Sequence, residues 1–155
     1  MRDTERTVVT LPDNADVIDL LLHQHHEVKR SLAEVETLEG DSKMAAFSRL
    51  EKLLSSHESA EQQVVHPVTR DHAGNPELAQ DLVRDEDNAM VVMAELHGLG
   101  TGNPDFDPKF IALRDAVLGH NAREESEEYP LLRRTQSAQR LEEMADDLRA
   151  VQSMR

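Results

Sequence analysis

The sequence predicts an all-α protein, an antiparallel up-down-up-down four-helix bundle with an additional short C-terminal helix. Apolar residues recur at spacings of three and four along four long segments, turn residues separate these segments, and no segment alternates apolar and polar residues as a strand does. Short connections make consecutive helices antiparallel neighbours. The 155 residues are expected to form a single domain, with the bundle at about 14–134 and the last helix at about 137–151.

Capping and turn residues set the predicted helix limits. The first helix is ended by Gly40, and Pro76 suits the first turn of the third. The caps and limits, in chain order, are Asp13 or Asn14 to Leu38, Asp41 or Ser42 to Arg70, Pro76 to the stretch at 98–104, and Asp107 to Arg134. The fifth segment, from Ser137, has an apolar stripe that predicts packing outside the bundle or at an interface. This stripe consists of Leu141, Met144, Leu148 and Val151.

The inward face of each long helix is apolar except where ionisable residues interrupt it. The predicted inward residues are Ile18, Leu21, His25, Val28, Leu32 and Val35; Phe47, Leu50, Leu54, His57, Glu61, Val64 and Val68; Leu82, Glu86, Ala89, Met93 and Leu96; and Phe106, Phe110, Leu113, Val117, His120, Glu124, Glu127 and Leu131. The interruptions lie about midway along the helices, so they can converge on one layer. Burying so many ionisable groups without a cation is costly, and the layer therefore predicts a metal site.

One spacing within these helices occurs twice: a histidine, a glutamate four residues later, and a proline six residues after that. The two copies are His57, Glu61 and Pro67, and His120, Glu124 and Pro130. A spacing of four places the imidazole and the carboxylate on the same face of a helix. The proline at the same offset predicts that each helix stops there.

The predicted metal ligands are His25, His57, Glu61, Glu86, His120 and Glu124. Glu86 rests only on its place in the stripe, because residues 84–88 form a polar run that can also be a wet helix face. His26 replaces His25 if the register is wrong by one. Glu58 and Glu125 adjoin the two pairs and are assigned to solvated or supporting positions.

Other polar residues are kept out of the predicted site. The histidines at helix ends or turns are expected to be exposed and titrating; they are His66, His72 and His97. Met90 and Met93 indicate core packing. Tyr129 lies just before Pro130, and it either lines the site or caps the core.

Composition limits the chemistry and the partners. The chain has no cysteine, so a metal must be held by nitrogen and oxygen atoms. Its formal net charge of −14 repels phosphate backbones, and nucleic acid is not an expected partner. The N-terminus lacks an apolar signal segment and no apolar run is long enough to span a membrane, which predicts a cytoplasmic protein without a membrane partner.

From about Val17 to Arg134 the sequence resembles the hemerythrin-like, or HHE cation-binding, family. The resemblance rests on an opening helix with His-His-Glu-Val-Lys-Arg, on His-x-x-x-Glu before a proline, on a third helix, and on His-x-x-x-Glu-Glu before Tyr-Pro. It implies two iron ions bridged by carboxylates and by an oxo or hydroxo group. The ligands it implies are His25, His57, Glu61, His120 and Glu124. Manganese and zinc also fit these ligand types.

Glu86 and Met90 stand where oxygen carriers of this family usually have histidines. Fewer imidazoles and one more carboxylate favour Fe(III), which argues against reversible O2 carriage. We therefore expect a di-iron protein that reacts with or senses O2, peroxide or nitric oxide; peroxide disproportionation is one chemical outcome. The alternative is an iron-responsive regulator or iron buffer without turnover, whose C-terminal segment offers a partner surface. The apolar positions of that segment permit a homodimer.

Overall fold

A computed structural model describes residues 15–154 as helices joined by short turns. This part of the chain contains five helices and no strand, which confirms the predicted all-α class. Helices α1, α3 and α5 are Val17–Thr37, Pro76–Leu99 and Ala138–Ser153. Helix α2 consists of Gly40–Ala60, the π-helical segment Glu61–Val65, and His66–Asp71. Helix α4 consists of Phe106–Arg123, the π-helical segment Glu124–Glu128, and Tyr129–Thr135.

The start of α1 is fixed by a reciprocal cap. The side chain of Asp16 accepts a hydrogen bond from the backbone N–H of Asp19, and the side chain of Asp19 accepts one from the backbone N–H of Asp16. This exchange satisfies two backbone donors that the helix itself leaves unpaired. The predicted caps Asp13 and Asn14 lie outside the described residues.

The sequence predicts that Gly40 ends α1, and this prediction is wrong: Gly40 is the first residue of α2. Helix α1 ends at Thr37, and the positive φ of 63° at Gly40 turns the chain directly into α2. A glycine adopts this left-handed conformation without the penalty that a side chain brings. The predicted caps Asp41 and Ser42 are therefore wrong, because both lie within the first turn of α2.

Both prolines of the repeated motif lie inside helices, so the prediction that they end α2 and α4 is wrong. In the π-helical segments, the N–H of His66 binds the carbonyl of Glu61, and the N–H of Tyr129 binds the carbonyl of Glu124. These bonds reach back five residues in place of four. Each proline then falls in the first turn of the next α-helical segment, where its missing N–H costs little.

The extra residue in each π-helical segment shifts the inward face by one position. Val65 is buried while the predicted Val64 is only half-buried, and Glu128 is buried while the predicted Glu127 is exposed. Leu132 likewise replaces Leu131. The periodic pattern is thus correct up to each π-helical segment and off by one at these positions after it.

Apolar side chains form two clusters, and along α1 the buried His25 falls between them in sequence. One cluster includes Val28, Leu32, Phe47, Leu50, Met93, Phe106 and Phe110. The other includes Ile18, Leu21, Val65 and Leu132, together with Leu141, Met144 and Leu148 from α5. The apolar stripe of α5 therefore packs within the chain, on α1 and on the π-helical segment of α2.

The four long helices pack side by side in a closed arrangement. Helix α1 contacts α2, the end of α2 contacts α3, α3 contacts α4, and α4 contacts α1. Each helix can thereby send a side chain toward the centre of the bundle. None of the helices in residues 15–154 combines the length and the hydropathy that a membrane span requires.

Candidate metal centre

The six predicted ligand residues are all buried and occupy neighbouring positions on four helices. They are His25 of α1, His57 and Glu61 of α2, Glu86 of α3, and His120 and Glu124 of α4. The three carboxylates are fully buried, and His120, the most accessible of the six, exposes 8% of its surface. Glu86 is thus an interior residue, whereas His26, the alternative to His25, is exposed.

The donor atoms of this layer fall into two groups that share two carboxylates. The first group is His25, His57, Glu61 and Glu124; the second is Glu61, His66, Glu86 and Glu124. Within each group the donor atoms lie within 4.8 Å of one another. Adjoining donor groups with shared carboxylates are typical of dinuclear metal centres in helical bundles.

Glu124 faces both halves of the layer. Its Oε1 atom lies 2.9 Å from Nε2 of His25, and its Oε2 atom lies 3.1 Å from Nε2 of His120. In the second half, Oε2 of Glu86 lies 2.8 Å from Nε2 of His66 and 2.9 Å from Nε2 of His120. Glu124 therefore contacts histidines in both halves of the layer.

His66 and Tyr129 are the residues that the sequence did not place in the layer. The prediction of an exposed His66 is wrong, since only 2% of its surface is accessible. Tyr129 is 3% accessible, and its hydroxyl lies 3.1 Å from Oε2 of Glu61. Both follow the glutamate of the repeated motif by five residues, and the π-helical turn returns position +5 to the same face. A histidine or tyrosine at that offset, before the proline, is the signal in the sequence.

The four histidines all turn Nε2 inward and are held from outside through Nδ1. The outer acceptors are Glu125 at 2.7 Å from His25, Oε1 of Gln24 at 2.8 Å from His57, Glu128 at 2.7 Å from His66, and Asp85 at 3.4 Å from His120. An acceptor at Nδ1 favours the neutral tautomer with its proton there, and in that tautomer the lone pair of Nε2 is directed inward. This is the arrangement in which imidazole ligates metals.

Two residues adjoining the pairs have different roles. Glu125 is exposed, and it supports His25, as expected of a position outside the ligand set. Glu58 is 4% accessible, so the expectation of a solvated side chain is wrong for it. Burial, together with the charge of Glu86, raises the pKa of Glu58 to about 9. Glu58 therefore keeps its proton at neutral pH.

The electrostatics of the layer are those of crowded, buried charges. Burial and the neighbouring His25 lower the pKa of His57 to about 4. Burial also disfavours charged His120, but its contacts with the Glu124 and Glu86 carboxylates outweigh that effect and raise its pKa to about 11. Burial and the charges of Glu124 and Glu86 raise the pKa of Glu61 well above its usual value. Protons thus partly compensate the carboxylates, and a cation would do so more fully.

Several buried nitrogen and oxygen atoms that could ligate a metal have no hydrogen-bond partner. Within residues 15–154 such atoms include Nε2 of His57, Oε1 of Glu61 and Oε2 of Glu124. The first two lie 3.2 Å apart without bonding each other. Adjacent ligands of an octahedral ion with bonds of about 2.1 Å lie about 3.0 Å apart, close to the distances in this layer. The clusters therefore fit a metal cation.

A cavity of about 420 Å³ between α3 and α4 reaches this layer. Its wall is largely apolar and includes Ala89, Val92, Leu113, Ala116 and Val117, while Glu58 and His120 contribute polar atoms. His120 contacts Glu86 and Glu124, so the cavity extends to the edge of the second donor group.

Comparison with known proteins agrees with this geometry. A relative from Nostoc sp. (strain PCC 7120 / SAG 25.82 / UTEX 2576), described as a DNA nickase, is 23% identical over 139 residues. The matched region covers 89% of this chain and 39% of that protein, so the chain spans about two-fifths of its relative's length. No solved structure matches the chain. The model of the hemerythrin HHE cation-binding domain matches residues 16–132, and the chain therefore belongs to the hemerythrin HHE cation-binding family.

Proposed function

We propose that this chain binds two iron ions and reacts with, or senses, O2, peroxide or nitric oxide. The observation that carries the proposal is the pair of donor groups that share Glu61 and Glu124. We take the four long helices as antiparallel neighbours in up-down-up-down order, which their short connections support. A cytoplasmic setting also remains a proposal.

The proposed ligand roles follow from the contacts of each side chain. His25 and His57 would hold the first ion, and His66, Glu86 and His120 would hold the second. Glu61 and Glu124, which belong to both groups, would hold both ions. A pair of redox-active ions supplies the electrons for reduction of peroxide or O2, and it offers coordination positions to small ligands. Manganese and zinc have overlapping ligand preferences, and elemental analysis separates the three metals.

We propose small reactive ligands because the protein offers fewer metal-ligating residues than two octahedral ions require. The first group has four donor residues and the second, with His120, has five; both numbers are below the six positions of an octahedral ion. Positions that the protein leaves open go to water or to an external molecule. The cavity at His120 provides a route for a molecule of the size of peroxide or nitric oxide.

The side chain of Glu58 lines this cavity as a protonated carboxyl group. The pKa of its carboxyl group is raised to about 9 by burial, so the group is neutral at pH 7. Its Oε1 atom has no hydrogen-bond partner within the described chain. A neutral acid at this place can donate a hydrogen bond to an incoming oxygen compound, as general acids do.

A second candidate function is an iron-responsive regulator or iron buffer without turnover. Four fully buried carboxylates favour it, namely Glu61, Glu86, Glu124 and Glu128. Their mutual repulsion makes the folded state depend on a cation, so that iron supply can control stability. The partner surface expected on the C-terminal segment is reduced, because Leu141, Met144 and Leu148 pack inside the chain.

DNA nicking, which the relative's description states, is not part of the proposal. The relative is more than twice as long as the matched region, and the charge of −14 on this chain opposes binding to phosphates. We propose small molecules, and neither nucleic acid nor a membrane, as its partners. A homodimer also remains a proposal.

The test combines metal analysis with single-turnover kinetics. Untagged protein is loaded with Fe(II) under argon, analysed for iron per chain, and mixed separately with O2, hydrogen peroxide and nitric oxide. About two irons per chain and rapid oxidation or ligand binding support the first function. Two irons without any reaction, combined with iron-dependent resistance to protease, support the second. A chain that retains no iron contradicts both.

A further inference from the structure

We propose that Tyr129 is a ligand of the first metal ion, through its phenol oxygen. The residue is buried, and its hydroxyl lies among three atoms of the first donor group. These are Nε2 of His25 at 3.1 Å, Oε2 of Glu61 at 3.1 Å and Oε1 of Glu124 at 3.2 Å. Ligation by Tyr129 presupposes the metal centre proposed above and adds an oxygen donor of a different chemical kind to it.

When the imidazole of His25 is neutral, as a metal ligand must be, hydrogen bonding alone does not satisfy this cluster of atoms. In that form the Nδ1–H of His25 is directed to Glu125, and Nε2 carries a lone pair. Nε2 nevertheless lies 2.9 Å from Oε1 of Glu124, which is also an acceptor. The hydroxyl of Tyr129 has one proton, and that proton can serve only one of its three neighbours. A cation bound by these atoms removes the conflict, because every lone pair can then point at it.

The distances fit one face of a coordination octahedron. The phenol oxygen, Nε2 of His25 and Oε1 of Glu124 form a triangle with edges of 2.9, 3.1 and 3.2 Å. Neighbouring ligands of an octahedral ion with bonds of about 2.1 Å are separated by about 3.0 Å. Three atoms at this spacing are placed to contact the same ion.

The fold holds the phenol ring in this position. The ring stacks on the imidazole of His25, with centroids 5.6 Å apart and planes 27° apart. The π-helical turn after Glu124 brings Tyr129 onto the same face as that glutamate, five residues later. The corresponding turn in α2 does the same for His66, five residues after Glu61, and His66 belongs to the second donor group. The π-helical turns therefore add one donor residue to each half of the centre, Tyr129 to the first and His66 to the second.

Binding of the phenol oxygen has a defined proton balance. The O–H bond of Tyr129 breaks, a bond between its oxygen and the ion forms, and one proton is released per chain. Glu61 and Glu124 both contact the hydroxyl, so either carboxylate can accept this proton first and pass it toward solvent. No electron is transferred in this step. Fe(III) prefers such a hard, anionic oxygen ligand.

The experiment uses optical spectroscopy of the full chain after iron loading and exposure to air. A phenolate bound to Fe(III) gives a charge-transfer band in the visible region, and resonance Raman excitation within that band shows the ring vibrations of tyrosine. Tyr129 is the only tyrosine in the sequence, so such a signal has a single origin. We expect the band and the ring vibrations in the wild-type protein.

Two variants separate ligation from packing. Tyr129→Phe keeps the buried ring, and we expect it to lose the band while it retains its fold by circular dichroism. Tyr129→His places an imidazole where α2 has His66; we expect it to bind as much iron as wild type without phenolate vibrations.

The outcomes separate this inference from the proposed function. Two irons per chain in the wild type, without phenolate vibrations, would show that Tyr129 only donates a hydrogen bond, and ligation would be overturned while the metal centre stands. A band that persists in Tyr129→Phe would also overturn it. A wild-type chain that takes up no iron overturns both proposals.

Discussion

The imidazole of His66 lies between two buried carboxylates, with Nε2 directed at Glu86 and Nδ1 at Glu128. We expect His66→Gln to lower the iron content from about two ions to about one, because the second donor group loses a nitrogen ligand while the first stays complete. Metal analysis after gel filtration measures this change. His72→Gln, an exposed histidine on the same helix end, is the matched control and should keep both ions. Equal iron in the two variants would remove His66 from the ligand set.

Glu58 should make the metal-free protein less stable as the pH rises. Its pKa of about 9 in the folded chain lies above the ordinary value of 4.5, so its contribution is complete below pH 4.5 and is lost as the pH rises to 9. The loss is at most ~1.4 kcal/mol per pH unit. Glu58→Gln cannot ionise, and we expect its free energy of unfolding to exceed that of wild type by a few kcal/mol at pH 8 but not at pH 4.5. Urea titrations of both proteins after chelation measure this difference in free energy of unfolding.

The control for this comparison is Glu142→Gln, which removes a carboxylate from the exposed face of α5. Its stability should follow the wild-type pH profile. Parallel profiles for Glu58→Gln and wild type would mean that Glu58 ionises freely in the folded chain. Burial would then not be what sets the pKa of Glu58.

Single positions were predictable where one regular helix period could be followed. His25 interrupts an otherwise apolar stripe, and its burial follows from that pattern alone. His66 was missed because the next residue is a proline, which usually marks a helix end with exposed polar residues. Glu58 was missed because its neighbour His57 already occupied the inward position, and periodicity does not show that two adjacent residues can both be buried.

At the scale of the element, the π-helical segments accommodate the prolines that follow the inward-facing residues. Deleting the exposed Gln63 leaves four residues where the segment had five, so that α2 becomes a regular helix across this region. His66 then follows Glu61 by four residues in place of five, which keeps both on the same face of the helix. Pro67, however, falls within a regular helix, at a cost of about 3 kcal/mol. We expect lower stability with the iron content retained, measured by urea titration and metal analysis.

Gln63→Ala is the control for that deletion, because it keeps the length of α2 and removes only an exposed contact with Ser59. It should bind iron and unfold in urea as wild type does. A deletion variant as stable as Gln63→Ala would show that the π-helical turn is not needed to accommodate Pro67.

The cavity between α3 and α4 is a second element whose role can be tested. Ala116 lines this cavity on α4 and is not one of the donor residues. We expect Ala116→Phe to fill part of the space and to slow the reaction with hydrogen peroxide about tenfold, equal to ~1.4 kcal/mol of barrier, with iron content unchanged. Stopped-flow absorbance measures the rate. Ala122→Phe adds the same bulk to an exposed position of α4 away from the cavity, and an equal slowing there would exclude this route.

Elements were predicted well where turns were marked by glycine or proline between helices. Helix α3 begins at Pro76 as expected, and Asn75 caps it by accepting a hydrogen bond from the N–H of Leu78. The π-helical turns could not be predicted from periodicity, since they insert one residue into a pattern that otherwise continues. A histidine or tyrosine five residues after the motif glutamate, directly before proline, accompanies both π-helical turns. This association becomes visible only once the structure is known.

For the whole molecule, the class of fold followed from helical periodicity, but the place of α5 did not. An amphipathic helix at the end of a chain can cover its own bundle or a partner, and its stripe looks the same in both cases. Here Met144 and Leu148 complete the apolar cluster that also contains Leu21 and Leu132. The polar layer is therefore flanked by packed apolar side chains, and the charges within it are shielded from solvent.

This arrangement predicts that metal removal weakens the entire fold. Without a cation, the buried carboxylates Glu61, Glu86 and Glu124 must be compensated by protons or by imidazolium groups, at a cost in free energy. A site occupied at 100 times its dissociation constant adds about 2.7 kcal/mol to the free energy of unfolding. We therefore expect chelation to lower the melting temperature and iron to restore it. Mg²⁺ at the same concentration should not restore it, because imidazole nitrogens suit iron better than magnesium. Calorimetry of chelated, iron-loaded and magnesium-treated samples decides this, and equal melting temperatures in all three would show that the buried layer is stable without a metal.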